Sequence, residues 1–340
     1  MSNPPVPPQS VPPFSQQRPV RVGIVGVSGY GGGELLRYLT RHPLVRVEYV
    51  SGESSAGSRL GDRFPSLPRP TADLTIHKWD PARLPELDVL FASLPTGEST
   101  AQLAQLPDHL RVIDIGGDHR FKPGWVYGLA DVWPERLANA RRIANPGCYP
   151  AASLLAIAPL LARGLVRPGD IIIDAKSGVS GAGRGGGGGF GFAEVNEDLV
   201  AYGLLKHAHV PEIEAALTEL AGQAASVLFT PHLIPMTRGI LATVYLHGQC
   251  STAQCLDAAR SFYADRPLVR VTDAAPHTKW ASGTNMAFLS YAADPARGRV
   301  IALAAIDNLG KGAAGQAVQN MNLSVGLPPT LGVTDVGLWP

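Results

Sequence analysis

The run Val20-Arg21-Val22-Gly23-Ile24-Val25 leads without a break into Gly26-Val27-Ser28-Gly29-Tyr30-Gly31-Gly32-Gly33-Glu34, and a helical stretch follows at Gly33–Leu39. A short apolar run bounded by glycine reads as a buried strand. A strand that turns at once into a helix must send its next strand back parallel to the first, because the helix has to cross over the sheet. Further apolar runs at Val45–Val50, Leu87–Ala92 and Arg111–Ile115 keep this alternation. The first part of the chain is therefore expected to be α/β, a parallel sheet with helices on both faces.

Beyond residue 148 the texture changes. Asp170–Ala175 opens a new sheet, and a glycine-rich stretch from Gly178 to Gly191 interrupts it. Later strands are expected at Ala225–Phe229, Gly239–Leu246, Met286–Tyr291 and Arg299–Ile306, with helices near 211–222 and 252–265 and a last helix from Gly312 to about Met321. That pattern predicts an α+β second domain with a mixed or antiparallel sheet. Residues 1–18, rich in Pro, Ser and Gln, read as a disordered or extended leader. The first domain is placed at 19–148 and the second at 149–307.

With 340 residues, 45% hydrophobic and 17% charged, the chain can bury the cores of about two domains. Its net charge of +1 offers no electrostatic grip on nucleic acid or on a membrane surface. No stretch reaches the ~20 apolar residues of a membrane span, and no signal-peptide pattern is expected at the start. Three cysteines imply no disulfide framework, so a reducing cytoplasm is expected. Cys250 and Cys255 lack a second ligand pair, and no metal site is expected.

Gly26, Gly29 and Gly32 let a backbone turn sharply and approach a pyrophosphate, while the following helix offers its N–H groups to the charge. In that strand–turn–helix setting Gly26, Ser28, Gly29, Tyr30 and Gly31 are candidate dinucleotide ligands. The first domain is accordingly a Rossmann-type parallel-sheet nucleotide domain. The second strand ends in Ser51-Gly52-Glu53-Ser54-Ser55-Ala56-Gly57-Ser58-Arg59. Ser51, Ser54 and Arg59 suit the 2′-phosphate of NADP(H), whereas Glu53 would suit the bare ribose of NAD. The balance of this chemistry favours NADP(H). Leu94 and Pro95 follow a further strand, at the sheet edge where the cofactor should lie.

Asn145-Pro146-Gly147-Cys148-Tyr149-Pro150 carries the chemistry. The cysteine follows a tight turn and opens an apolar helix. The thiol should lie among free backbone N–H groups at the positive end of a helix dipole, which favours a thiolate. His207 and His209 stand two residues apart before a helix, and an extended approach would point both to one side. Either could serve as acid/base beside the thiol. Arg120, Arg184 and Arg238 could bind a phosphate or carboxylate through their planar forks. A thiol beside a nicotinamide suggests one reaction type: attack on an activated acyl carbon, then reduction of the thioester to an aldehyde.

These residues resemble the N-acetyl-γ-glutamyl-phosphate reductases, members of the semialdehyde dehydrogenase group, from about residue 20 to the C-terminus. The resemblance rests on Gly26-x-Ser28-Gly29-Tyr30-Gly31-Gly32, Asn145–Pro150, Lys176–Arg184, His207-x-His209-x-Pro211-Glu212-Ile213, His232–Gly239 and Asp307–Ala314. It implies NADPH-dependent reduction of an acyl phosphate with release of inorganic phosphate, with Cys148 as nucleophile and His209 as acid/base. It places Arg120, Asn145, Ser177, Gly178, Arg184, His207 and Arg238 around the substrate. Ser180, Gly181 and Asn308 are placed with the cofactor. It further implies that 308–340 complete the first domain, and that the second domain forms a homodimer or homotetramer. Ala208 and Val210 stand where arginine and threonine are common in the family, and the Gly185–Gly189 run is unusual. Aspartate-semialdehyde dehydrogenase and a reductase of carrier-linked aminoadipyl or glutamyl phosphate share the thiol chemistry. An NADPH-binding sensor with an inert cysteine is the non-enzymatic alternative.

Overall fold

Val20–Val25 forms the first strand (β1) and is buried along nearly its whole length, as befits a central strand covered on both faces. A computed structural model of the chain describes residues 14–15, 18–184, 191–333 and 336–338. Five strands join β1 in one sheet: β2 (Val45–Ser51), β3 (Val89–Ala92), β4 (Arg111–Asp114), β5 (Val126–Tyr127) and β6 (Arg142–Ala144). Their order is β2-β1-β3-β4-β6-β5, and every pairing is parallel. One face is covered by Leu35, Leu36 and Leu39 of the Tyr30–Leu39 helix. The other is packed by Leu103, Leu106 and Leu110.

The second sheet has seven strands: β7 (Ile171–Gly178), β8 (Val200–Ala201), β9 (Val227–Ile234), β10 (Ile240–His247), β11 (Val269–Val271), β12 (Ala287–Asp294) and β13 (Arg299–Ile306). The order is β11-β12-β13-β10-β7-β9-β8, with both parallel and antiparallel neighbours. Helix Cys148–Ala162 lies on one face of it, flanked by the helices His209–Ala221 and Thr252–Phe262, which also pack on the sheet. Its residues Tyr149–Leu161 are all buried, which explains a sequence apolar on every side.

The opposite face of this sheet is covered at one end by the short helix Thr278–Ala281, whose Trp280 packs on Phe288 of β12, and is open over β9, β7 and β10. Leu228, Ile172 and Tyr245 stand side by side there on β9, β7 and β10, each more than 40% exposed. Ile301 of β13 extends the row.

Three local readings are corrected. Phe14, placed in the leader, is buried in the first core beside Val20 and Leu39. The last helix does not start at Gly312: a π-turn spans Gly310–Ala314, and the α-helix runs Gly315–Ser324. Its Ala317, Val318 and Met321 pack into the core of the first sheet. His209 is not extended but is the first residue of a helix. The Gly185–Gly189 run lies outside the described residues.

Candidate active site

The carboxyl ends of β1, β3, β4 and β6 all open onto one cleft of ≈ 850 Å³, closed on its far side by the second lobe. Crevices of this kind, outside the strand ends, are where open α/β sheets hold ligands. Gly26 makes the first turn at a φ of +79°, and a Cβ there would strike the Ser93 carbonyl. Gly29 caps the Tyr30–Leu39 helix in extended conformation, with no side chain bonded to the first-turn N–H groups. Those groups are left for an anion, so the cradle fits a dinucleotide pyrophosphate.

Among the sequence candidates for the cofactor, Gly26, Ser28, Gly29, Tyr30 and Gly31 line the cleft. Ser51 and Ser54 line it too, with Glu53, as do Leu94 and Pro95. Ser180, Gly181 and Asn308 face them from the second lobe. Asn308 donates to Ser180 Oγ (2.9 Å) and accepts from the Gly239 N–H (2.7 Å), which fixes that wall. Arg59 is the exception. It lies outside the cleft, its guanidinium 3.9 Å from Asp73.

Strand β6 leads to the candidate nucleophile. It ends at Ala144, the Asn145-Pro146-Gly147 turn follows, and Cys148 is the first residue of its helix. Cys148 and His209 both line the cleft. A Cβ on Gly147 would come within 2.5 Å of His209 Nε2, so only glycine lets the imidazole approach the residue beside the thiol. Burial pushes the Cys148 thiol up to about 11; the Tyr149 N–H and Arg120 oppose it, and Glu212 adds to it. The thiolate expected from the helix start is therefore not the resting form, because desolvation outweighs the dipole. Burial, then Arg120 and His207, hold His209 well below its ordinary value. An uncharged imidazole and an uncharged thiol thus line the same cleft, and a proton passed from sulfur to nitrogen would make a thiolate there.

Arg120 lines the cleft, while its Nε donates to the Asn145 carbonyl (3.0 Å) and its Nη1 to Glu212 (2.8 Å). Arg184 also lines the cleft, 5.3 Å from the Tyr30 ring centre. The other substrate candidates sit elsewhere. Asn145 is buried beneath the nucleophile turn, bonded to the Ala313 carbonyl and to Asn320. Ser177 is buried and donates to the Gly178 carbonyl, and neither it nor Gly178 reaches the cleft. His207 lies behind His209, accepting the His209 N–H at Nδ1 (3.1 Å) and packing against Tyr149 and Phe229.

Arg238 is a second correction. Its guanidinium is spent on Asp307 (2.9 Å) and on Glu34 of the first lobe, outside the cleft. Sequence reasoning assigned nothing to Glu34, Asp307 or Glu212. Only Glu212 had a visible sign, three residues after His209 and so on the same helix face.

Two family models match the chain: "Semialdehyde dehydrogenase, NAD binding domain" over residues 21–140 and "Semialdehyde dehydrogenase, dimerisation domain" over 148–308. An N-acetyl-gamma-glutamyl-phosphate reductase of Bradyrhizobium sp. (strain ORS 278) is 63% identical, covering 94% of this chain and 99% of the relative. A protein of the same name from Desulforudis audaxviator is 45% identical, covering 94% and 100%. The fold is similar to aspartate semialdehyde dehydrogenase II of Vibrio cholerae, with a TM-score of 0.73 and 18% identity over 91% of this chain and 98% of that one. With Cys148, His209 and the glycine turn on one cleft and relatives of 45–63% identity over 94% of its length, the chain belongs to the N-acetyl-γ-glutamyl-phosphate reductase family of the semialdehyde dehydrogenases.

Proposed function

We propose that this protein reduces N-acetyl-γ-glutamyl phosphate to N-acetyl-L-glutamate 5-semialdehyde with NADPH, releasing inorganic phosphate, as a step of arginine biosynthesis. The observation that carries the reading is the shared cleft, which Cys148, His209 and the bare helix start at Gly29 all line. His209 takes the thiol proton as Sγ bonds to the acyl carbon. The carbon–oxygen bond to phosphate breaks, its electron pair leaves with the phosphate, and His209 returns the proton to that oxygen. Cys148 then holds the acyl group as a thioester. The nicotinamide, when bound, supplies hydride to the acyl carbon. As the aldehyde forms, the carbon–sulfur bond breaks and the thiol regains a proton from water through His209. Arg120 and Arg184 offer their remaining N–H groups to the phosphate and carboxylate of the substrate. Ser28 and Ser54, without Arg59, meet the adenosine end of NADP(H).

The open face of the second sheet over β9, β7 and β10, within the segment matched as a dimerisation domain, is the contact of a homodimer or larger homo-oligomer. Among the described residues no helix is long and apolar enough to cross a membrane. A compartment that keeps thiols reduced, such as the cytoplasm, suits an enzyme that works through a free cysteine.

The test compares N-acetyl-glutamate semialdehyde, aspartate semialdehyde and a carrier-linked substrate in the phosphate-dependent reverse reaction. Preference for the first is expected. Cys148→Ser should abolish that turnover and leave NADPH binding intact; a serine variant with normal turnover would remove Cys148 from the reaction.

A further inference from the structure

Glu212 is a buried carboxylate in the first turn of the His209 helix, 5% exposed. One of its oxygens accepts from the Gly147 N–H (2.8 Å) and from Tyr127 Oη (2.7 Å). The other accepts from Arg120 Nη1 (2.8 Å). Arg120 in turn grips the Asn145 carbonyl. The two side chains therefore hold the nucleophile turn on either side of Pro146, one by the carbonyl before it and one by the N–H after it. Glu212 does so from the helix that begins with the base.

Resting on the reading above, we propose that Glu212 is a positioning residue for the cysteine–histidine pair: its carboxylate ties the turn carrying Cys148 to the helix carrying His209 and pairs Arg120 beneath the cleft. It touches neither substrate nor cofactor in this role. The turn leaves the first sheet at Ala144 while both helices pack on the second, so a small shift of the turn would carry the thiol beside it away from the imidazole. A misplacement of about 1 Å costs roughly 10²-fold in rate. A carboxylate is needed because it alone among side chains can accept from the turn and the phenol while pairing with a guanidinium.

The charged and titratable groups facing Cys148 are Arg120 and Glu212 across the turn, His209 from the helix beside it, and the neutral phenols Tyr149 and Tyr202. Arg120 draws the thiol down and Glu212 pushes it up. Taking away the Glu212 charge therefore leaves Arg120 unopposed and raises the thiolate fraction.

Glu212→Gln separates these effects. Its amide oxygen still accepts from Gly147 and Tyr127, but its NH₂ group faces Arg120. The expected result is a kcat lowered by roughly 10²-fold with unchanged NADPH affinity, together with faster iodoacetamide alkylation of Cys148 at pH 8. A role in stability alone would speed alkylation by the same factor at every pH, whereas loss of the Glu212 charge moves the alkylation profile to lower pH. A kcat near the wild-type value, or a loss of NADPH binding in step with kcat, overturns the proposal. Should Glu212→Gln fail to fold, Glu212→Asp keeps the charge but shortens the reach. It is expected to lower kcat with alkylation near the wild-type rate, and a normal kcat there would equally overturn the proposal. Alkylation and NADPH binding need no acyl phosphate. If the wild-type protein turns over none, the proposed substrate fails while the alkylation result still decides the role of Glu212.

Discussion

At the residue scale, the chemistry depends on which proton moves and when. The sequence points to a thiol activated by its helix, but the structure buries that thiol and leaves it protonated. In the proposed reaction activation falls to His209, which burial keeps neutral and therefore able to accept. The sign follows from the two groups. His209 is protonated only at pH well below 6.5, while the thiolate of Cys148 gains ground only as pH rises toward about 11. Alkylation of Cys148 in the free protein should climb steadily from pH 7 past pH 9. A plateau at neutral pH would instead mean a preformed thiolate–imidazolium pair. His209→Asn should lower kcat by roughly 10²–10⁴-fold; a near-normal rate would hand the role to His207, which the structure sets behind it and outside the cleft.

At the scale of elements, pattern was readable and partnership was not. Long apolar runs such as Val20–Val25 and Arg299–Ile306 declare themselves because burial dictates their composition. β6 went unread: three residues carry no period, and what makes them a strand is the parallel neighbours β4 and β5. The same limit governed the arginines. Arg120, Arg184 and Arg238 look alike in sequence, yet only the first two line the cleft. What commits Arg238 is Glu34, 204 residues away, in the helix after the glycine loop. The bridge joins that helix to the end of β13, where Asp307 also accepts the N–H groups of Leu309 and Gly310. Arg238→Ala leaves the buried Asp307 without its cation and Glu34 with Arg37 alone. It should cost about 3 kcal/mol, the low end for a buried pair broken on one side. Urea unfolding measures this, and a loss under about 1 kcal/mol, the usual worth of an exposed pair, would deny the bridge its place between the lobes.

At the scale of the molecule, the two sheets differ in how they are covered. The first is enclosed on both faces, whereas one face of the second is open over β9, β7 and β10. The row Leu228, Ile172, Tyr245 and Ile301 crosses four strands on the open side. A contiguous apolar strip of this kind marks an association surface. Tyr245→Lys should shift the protein toward monomers in light scattering at micromolar concentration while leaving far-ultraviolet circular dichroism unchanged. An unaltered assembly would place the contact elsewhere. The last helix has a different consequence. Ala317, Val318 and Met321 complete the core begun by Val20 and Leu35, with the whole second lobe spelled out in between. A ribosome therefore releases the front of that core long before its back. Until that helix emerges the nascent first lobe keeps a greasy flank uncovered, and holding chaperones have a reason to wait for it.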